Sequence, residues 1–354
     1  MEVSGPRAGY LERIRQGGMV LSPRLATAFA EVPREVFVPE GFQRRDGTWA
    51  EPADPDFLDI VYSDDVLVTK VDGRTPVSSS SQPSLMALML ETLDVRPGQT
   101  VLEIGTGTGY NAALLSHLGA RVVSIDVQAD VVERARAALA RAQVGNVRVE
   151  LADGYAGRPG LDADHVIVTV GVAGISPHWP RPIVAPVEHA GTHPVLRIAT
   201  DGTARVVTPA GFMTAAGPLT AAHPFPAPAP PGVFSELTPY GEIVFDPPLD
   251  ALAYRDLWYA AGVWHRRATH AAVPGHEQSC LVLLDDERTG GATITPDGRI
   301  SARGAQADKY AADARAVLDR WLDLGRPAMG AWRITLAAGG DPAAPILMPH
   351  TWEL

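Results

Sequence analysis

Residues 101–110 read "VLEIGTGTGY", and the fold turns on this stretch. Val101 to Ile104 form a short, largely apolar run of strand type. Gly105, Gly107 and Gly109 then alternate with Thr106 and Thr108, and a helical pattern, "YNAALLSHLG", follows and stops at Gly119. Glycines between a strand and a helix let backbone approach a ligand closely, and the first turn of the helix aims unpaired N–H groups at it. The dinucleotide fingerprint G-x-G-x-x-G needs its third glycine at position 110, which is Tyr110 here. The spacing is instead E-x-G-x-G-x-G, led by Glu103.

The flanking segments repeat the alternation. "SLMALMLETLDV" predicts a helix closed by "RPG". "RVVSID", "VRVELAD" and "HVIVTVG" predict strands, and "ADVVERARAALARAQV" predicts a helix with Val131, Ala135, Ala138, Leu139 and Ala142 on one face. Strands alternating with helices imply a doubly wound α/β fold, a parallel sheet with helices on both faces. After Gly171 the alternation fades into "PIVAPV", "HPVLRIA" and "ARVVTPA", strands joined by short turns. Upstream, "SPRLATAFAEV" predicts a helix with Ser22 as N-cap and Pro23 at its first position. The region from Gln43 to Arg74 reads as loop with a short strand, "DVLVT". Five prolines in "AAHPFPAPAPPG", residues 221–232, favour an extended linker. The organisation expected is therefore an N-terminal segment with a substrate-site loop (1–83), a core (84–220), the linker (221–232) and an α+β extension for substrate recognition (233–354). The extension's clear helix is "DKYAADARAVLDRWLDLG", where Tyr310, Ala314, Val317, Leu318 and Trp321 recur at helical spacing and Gly325 stops it.

Composition limits the function classes. Of 354 residues, 30 are Lys or Arg and 41 are Asp or Glu, a net charge of 30 − 41 = −11. Such a chain is a poor general binder of nucleic acid, whose affinity comes mainly from neutralising phosphates. No apolar run approaches the roughly 20 residues that span a bilayer, so no membrane partner is expected. The first residues lack the apolar core of a secretory signal, which predicts a cytoplasmic location. Cys280 is the single cysteine, which excludes an internal disulfide and a multi-cysteine zinc site.

The E-x-G-x-G-x-G spacing is typical of the S-adenosylmethionine (SAM) site of class I methyltransferases, a Rossmann-like fold. The cofactor contacts expected from the loop are Glu103, Gly105, Thr106, Gly107, Gly109 and Tyr110. Asp126 ends the second strand, 21 positions beyond Gly105, where a carboxylate accepts both ribose hydroxyls; Val127 adjoins it. Asp153-Gly154 follows the third strand, where an acidic side chain suits the adenine amino group. The product of transfer is S-adenosylhomocysteine.

Longer stretches carry a resemblance. "AFAEVPREVFVPE", "SSQPSLMALMLETLDVRPGQTVLEIGTGTGYNAALLSHLGARVVSID" and "DGYAG" resemble protein-L-isoaspartate O-methyltransferase over about residues 20–175. In that family a T-I-S-Q-P segment lies over the transferring methyl group and helps hold the substrate carboxylate. Ser81-Gln82-Pro83 matches S-Q-P and Ser79 stands where the family has Thr, whereas Ser80 replaces Ile and Ser84 replaces the frequent His. The usual Q-L-x-x-G-G-x-L-V-x-P segment is replaced by "PRPIVAPVEHAGTHPVLRI". The resemblance implies methyl transfer to an Asp or isoAsp carboxylate in a peptide or protein. The repair enzymes are shorter and lack the extension. Long variants occur in gene clusters for ribosomally made, modified peptides, which implies a cyclised precursor peptide as partner and an aspartimide as end product. General isoaspartate repair and a non-catalytic SAM-binding interaction protein are the alternatives.

A carboxylate is already ionised at neutral pH, so its methylation needs alignment and dehydration rather than a general base. Hydroxyl donors suit that task, and a permanent cation beside the acceptor would compete with the sulfonium. Ser79, Ser80 and Ser81 in "SSSSQPS" (78–84) are the expected orienters, with Gln82 beside them and Ser84 as a helix N-cap. Arg74 is positioned to steer an acidic peptide. His189 and His193, four apart, would face one side of a strand and contact substrate; no metal is expected. His265, His270 and His276 read as surface histidines. Trp258, Trp264, Trp321, Trp332 and Trp352 read as core.

Overall fold

The structure, a computed structural model, describes residues 6–220 and 229–354. Most of the Pro-rich segment, 221–228, thus lies outside the described residues. The N-terminal part carries helices α1 (Tyr10–Gln16), α2 (Pro23–Glu31) and α3 (Phe57–Val61). Its strands β1 (Phe42–Gln43), β2 (Trp49–Ala50), β3 (Leu67–Asp72) and β4 (Thr75–Ser80) form an antiparallel sheet ordered β2-β1-β3-β4. The core follows with α4 (Pro83–Leu93), β5 (Thr100–Ile104), α5 (Tyr110–His117), β6 (Arg121–Asp126), α6 (Ala129–Arg141) and β7 (Val147–Leu151). Strands β8 (His165–Val168), β9 (Ile183–Pro186), β10 (Val195–Ile198) and β11 (Ala204–Thr208) complete it.

Beyond it come β12 (Thr238–Pro239), α7 (Ala251–Trp264), β13 (Ala268–Ala271), β14 (Cys280–Leu284), β15 (Gly291–Ile294) and β16 (Ile300–Arg303). The chain ends with α8 (Ala307–Asp323), β17 (Arg333–Asp341) and β18 (Ala344–Glu353). Among the described residues, no helix is long and apolar enough to cross a membrane.

The central sheet has nine strands in the order β18-β17-β11-β10-β9-β8-β5-β6-β7, parallel from β9 to β7. The period of two divides its side chains between two cores. Leu102, Ile104, Val166, Val168, Ile183 and Leu196 enter one hydrophobic cluster, while Val101, Ile167, Val184 and Val195 enter the other. Each such side chain contributes about 1.5–3 kcal/mol by leaving water. Strand order reverses around β5, so the crevice outside the carboxyl ends of β5, β6 and β8 is where a ligand seats in this topology.

The regular segments form as their patterns require. Ser22 caps α2, its Oγ accepting from the Leu25 N–H at 3.3 Å, with Pro23 at the first position. Helix α6 buries Val131, Ala135, Ala138 and Leu139. Helix α8 buries Tyr310, Ala314, Val317, Leu318 and Trp321.

Three differences from the expectation matter. Ser78, Ser79 and Ser80 are not loop: Thr75–Ser80 is a strand, paired with β3 so that Ser80 faces Leu67 and Ser79 faces Val68, and only Ser81 and Gln82 link it to the next helix. Helix α4 is capped at Gln82 and opens with Pro83, so Ser84 lies inside its first turn, its N–H donating to Asp64 Oδ1 at 2.7 Å. The extension contains a second long helix, α7, whose Asp250 carboxylate accepts from Leu252 and Ala253 N–H groups.

The extension is also not packed as a separate body. Its own five-stranded sheet is ordered β12-β16-β15-β14-β13, but the β17–β18 hairpin joins the central sheet at β11. Ile334, fully buried, pairs with Ala204 there and covers an edge that would otherwise expose unpaired backbone. One hydrophobic cluster runs from Leu102 and Val166 through Trp258 to Trp321. Trp332 is buried as well, and Trp264 and Trp352 pack against the cluster.

Candidate active site

A cavity of about 1570 Å³ opens at the carboxyl ends of the parallel strands. Its floor is the glycine loop. Gly105, Gly107 and Gly109 all have positive φ (94°, 51° and 84°). At Gly107 the need for glycine is steric as well, because an added Cβ would sit 2.9 Å from the Ser79 carbonyl oxygen. The loop is held open from beneath. Glu103 is fully buried, accepting from Asn111 Nδ2 at 2.7 Å and Ser124 Oγ at 2.5 Å, and Ser124 Oγ lies 2.7 Å from Thr106 Oγ1. Burial pushes the Glu103 carboxyl up to about 7, opposed by those two hydrogen bonds.

Asp126, at the end of β6, accepts from the Gly107 N–H at 3.2 Å and the Gln128 N–H at 3.0 Å, and burial raises its carboxyl above the ordinary range. Val127, 49% exposed, and Gly154 continue the wall. A Cβ on Gly154 would meet Ile104 Cγ2 at 2.8 Å, so the wall there is bare backbone.

The serine strand forms the second wall. Alternation buries Ser78 and Ser80 and leaves Ser79 half-buried on the opposite face, over Gly107. Ser80 Oγ accepts from Arg34 Nε at 3.4 Å. Ser78, Ser79 and Ser81 line the cavity with hydroxyls that have no protein hydrogen-bond partner among the described residues.

Arg34, fully buried, fixes this strand: its guanidinium donates to the carbonyls of Val61 at 2.8 Å, Asp65 at 2.9 Å and Ser81 at 3.0 Å. Lys70 on β3 donates to Gln128 Oε1 at 2.8 Å and Asp130 Oδ1 at 2.7 Å, and Gln128 Nε2 donates to the Val77 carbonyl at 2.9 Å. The β3–β4 hairpin is thus tied to the turn that carries Asp126. Gln82 borders the cavity too, its amide donating to Asp64 Oδ2 at 3.0 Å.

The third wall comes from the extension and the turns before it. Arg255, Trp258 and Tyr259 of α7, His270 of β13, and Gln278 and Ser279 face the cavity together with His193. Burial lowers the His193 imidazole to about 4, so it is neutral at neutral pH.

Several expected residues are placed elsewhere. Glu103 lies beneath the loop and does not line the cavity; it braces the loop through Asn111 and Ser124. Tyr110 borders the cavity, but its hydroxyl pairs with Tyr10 at 3.2 Å and its ring packs with Phe29 and Phe37. Asp153 is exposed and closes a turn by accepting from the Tyr155 N–H at 2.9 Å; Ala152 and Gly154 reach the cavity instead.

Arg74 sits exposed at the tip of the β3–β4 hairpin, off the cavity lining. His189 and His193 do not share a strand face. Ala190 and Gly191, both at positive φ, make a tight turn closed by reciprocal His189–Thr192 backbone bonds. His189 is buried against the Tyr259 ring and bonded to the Tyr259 carbonyl, and His193 alone reaches the cavity. Of His265, His270 and His276, only His276 is exposed; His265 lies 3.5 Å from Asp313 and His270 faces the cavity. No cluster of metal-ligating side chains occurs among the described residues.

The sequence reading missed Arg34, Lys70, Gln128 and the α7 wall. Two signals were available: Arg34 stands in the quoted "VPREVFVP" run, and Lys70 is one of only two lysines.

The strand order, the glycine loop after β5 and the carboxylate after β6 define a class I SAM-dependent methyltransferase fold. The residues fit the cofactor. Bare backbone at Gly107 and Gly154 leaves room for it, and Asp126 lines the same cavity with a carboxylate at the end of β6. Residues 7–199 match the family model described as "Protein-L-isoaspartate(D-aspartate) O-methyltransferase (PCMT)", and the chain belongs to that family.

Among relatives, a protein-L-isoaspartate O-methyltransferase of Thermotoga maritima is 39% identical over 163 residues, 45% of this chain and 47% of that one. The corresponding Pyrococcus horikoshii protein is 32% identical over 186 residues, 51% of this chain and 72% of that one. The chain spans only 47% and 63% of the Thermotoga maritima and Methanoculleus marisnigri relatives. A solved structure named protein-L-isoaspartate O-methyltransferase aligns with a TM-score of 0.54 at 25% identity, over 96% of this chain and 98% of that chain. The extension therefore does not set this chain apart from proteins bearing that name, contrary to the expectation drawn from shorter repair enzymes.

Proposed function

We propose that the chain is a SAM-dependent O-methyltransferase acting on the side-chain carboxylate of an Asp or isoAsp residue in a peptide or protein. The observation that carries this reading is the stacking of the serine strand on the glycine loop, which puts Ser79 and Ser81 hydroxyls without protein partners in the same cavity as Asp126. Gly105, Thr106, Gly107, Asp126, Val127 and Gly154 would hold the cofactor, with Glu103 supporting the loop from below. Bound there, SAM supplies an electrophilic methyl group on a sulfonium.

Ser79 and Ser81 donate hydrogen bonds to the acceptor carboxylate, aligning one oxygen for in-line attack. The strand and the extension wall the site on two sides. So held, that oxygen would be placed to receive the methyl group that bound SAM would supply, leaving S-adenosylhomocysteine and the neutral ester. No proton moves, and no general base is required. After transfer, the amide nitrogen of the next residue attacks the ester carbonyl. Methanol leaves with the amide proton, and a five-membered imide closes.

Two acceptors are supported by different observations. The names of the relatives and the end-to-end alignment with a solved structure favour isoaspartyl residues in proteins, the repair reaction. The roomy cavity walled by α7 and β13 favours a bulkier, cyclised precursor peptide. The test is incubation with SAM and either an isoAsp-containing linear peptide or a cyclised acidic peptide, read by mass spectrometry. A methyl ester followed by loss of methanol supports the function, and the faster acceptor identifies the branch. SAM binding by calorimetry with neither product on any acidic peptide would overturn it and leave a binding protein without turnover.

A further inference from the structure

We propose that Arg255 on α7 is the anchor of a second carboxylate subsite, which selects peptides carrying another acidic group near the methylated one. The proposal rests on the peptide-methyltransferase reading above and names a recognition element for it.

Among the described residues lining the cavity, the side chains that are cationic at neutral pH are Lys70 and Arg255. Lys70 is committed to Gln128 and Asp130. Arg255 has no ion pair and no hydrogen bond among the described residues, in a chain of net charge −11. Its guanidinium carbon lies 4.5 Å from the centroid of the Trp258 ring, one helical turn along α7. Trp258 is itself fixed, buried and donating from Nε1 to the Ala190 carbonyl at 2.9 Å.

Stacking on an indole face orients a guanidinium and leaves its N–H edges free for a planar, bidentate acceptor such as a carboxylate. Burial lowers the His193 and His270 imidazoles, so these neighbours add no positive charge at neutral pH and supply neutral contacts. Gln278 and Ser279 line the same wall. A half-buried cation without a counter-ion is costly for a fold to keep. A carboxylate delivered by the substrate removes that cost.

The group it takes is not the acceptor. The acceptor must lie against the serine hydroxyls beside the cofactor, and a fixed cation there would oppose the sulfonium. The carboxylate at Arg255 is therefore a second one, either an Asp or Glu side chain or the peptide's own C-terminus.

The test uses short peptides with a central acceptor. In one set Glu is exchanged for Gln at each flanking position in turn, and in another the C-terminal acid is exchanged for the amide. Methyl transfer (kcat/KM) and, separately, peptide Kd on protein loaded with S-adenosylhomocysteine are measured for the wild type, Arg255→Gln, Arg255→Lys and Arg255→Glu. We expect one exchange to lower wild-type kcat/KM about tenfold or more, the effect of one charge-assisted hydrogen-bonded pair. The change should appear in KM rather than kcat. Arg255→Gln should bring the acid-to-amide ratio near one, Arg255→Lys should restore part of it, and Arg255→Glu should favour Lys at the responsive position. The set that responds tells a side chain from a C-terminus. Should Arg255→Gln fail to fold, the Lys and Glu variants carry the same comparison. An unchanged ratio in the variants, or equal losses on acid and amide peptides, overturns the subsite. Arg255-dependent binding without methyl transfer would leave the subsite standing and overturn the methyltransferase reading; transfer without Arg255 dependence would do the reverse.

Discussion

Glu103→Gln should make the protein more stable than the wild type by a margin that grows with pH. Glu103 is fully buried beneath the glycine loop with its carboxyl raised from 4.5 to about 7, burial being the largest cause. A raised folded-state pKa means that the folded chain holds a proton which the unfolded chain has lost. The stability tied to that proton is fully present below pH 4.5 and is lost progressively as pH rises through about 7. A tenfold difference in proton affinity between the folded and unfolded chain is worth about 1.4 kcal/mol, so the wild type loses about 2–3 kcal/mol between pH 5 and pH 8 through this one group.

Glutamine does not titrate and can keep the network. Its carbonyl accepts from Asn111, and its amide donates to Ser124 Oγ, which turns its own proton to Thr106. The assay is scanning calorimetry of both proteins from pH 5 to pH 8 without cofactor. The difference in Tm, variant minus wild type, should widen steadily over that range. A difference that stays flat or narrows would refute the assignment of a desolvated carboxyl at this position.

Arg34→Met should cost about 3–5 kcal/mol, because it strands the Val61, Asp65 and Ser81 carbonyls in a buried site, and should lower kcat more than SAM affinity; a wild-type Tm with wild-type turnover contradicts this. Gly107→Ala places a methyl group 2.9 Å from the Ser79 carbonyl oxygen and should weaken SAM binding and turnover at least about tenfold; calorimetry showing unchanged affinity counts against the close stacking. Ser81→Ala should lower methyl transfer about tenfold with SAM Kd and Tm nearly unchanged, as expected for loss of one hydrogen bond to a charged acceptor; an early melt with collapsed SAM binding would make the serine structural.

Much of the cofactor end was legible in the sequence because its determinants are local. A strand, three glycines at fixed spacing and a helix lie within "VLEIGTGTGYNAALL", and the carboxylate at Asp126 follows at the end of the next strand. Helix α6 could be read the same way, since its buried face repeats at helical spacing. Helix α7 also carries a legible start, Asp250 before an apolar run, although its register against the cavity is not written there.

By contrast, residue type alone misplaced Glu103, Asp153 and His189. A carboxylate beside a glycine loop reads as a ligand whether it points up into a cavity or down beneath the loop. Only the pleat of β5, which sends Leu102 and Ile104 to one core and Glu103 to the other side, decides which. His189 and His193 are separated by a turn whose positive φ angles at Ala190 and Gly191 follow from strand pairing rather than from spacing.

The sequence by itself determined the alternation of strands and helices, the place of the cofactor loop and the family. Those follow from period, glycine position and contiguous motifs, each encoded over a few residues. The tertiary structure alone decided that the first three serines of "SSSSQPS" end a strand clamped by Arg34, that the last hairpin closes the edge of the central sheet, and that α7 brings Arg255 to a cavity whose floor lies some 150 positions earlier in the chain. Such contacts depend on packing and pairing between segments remote in sequence, and no local pattern of residues specifies them.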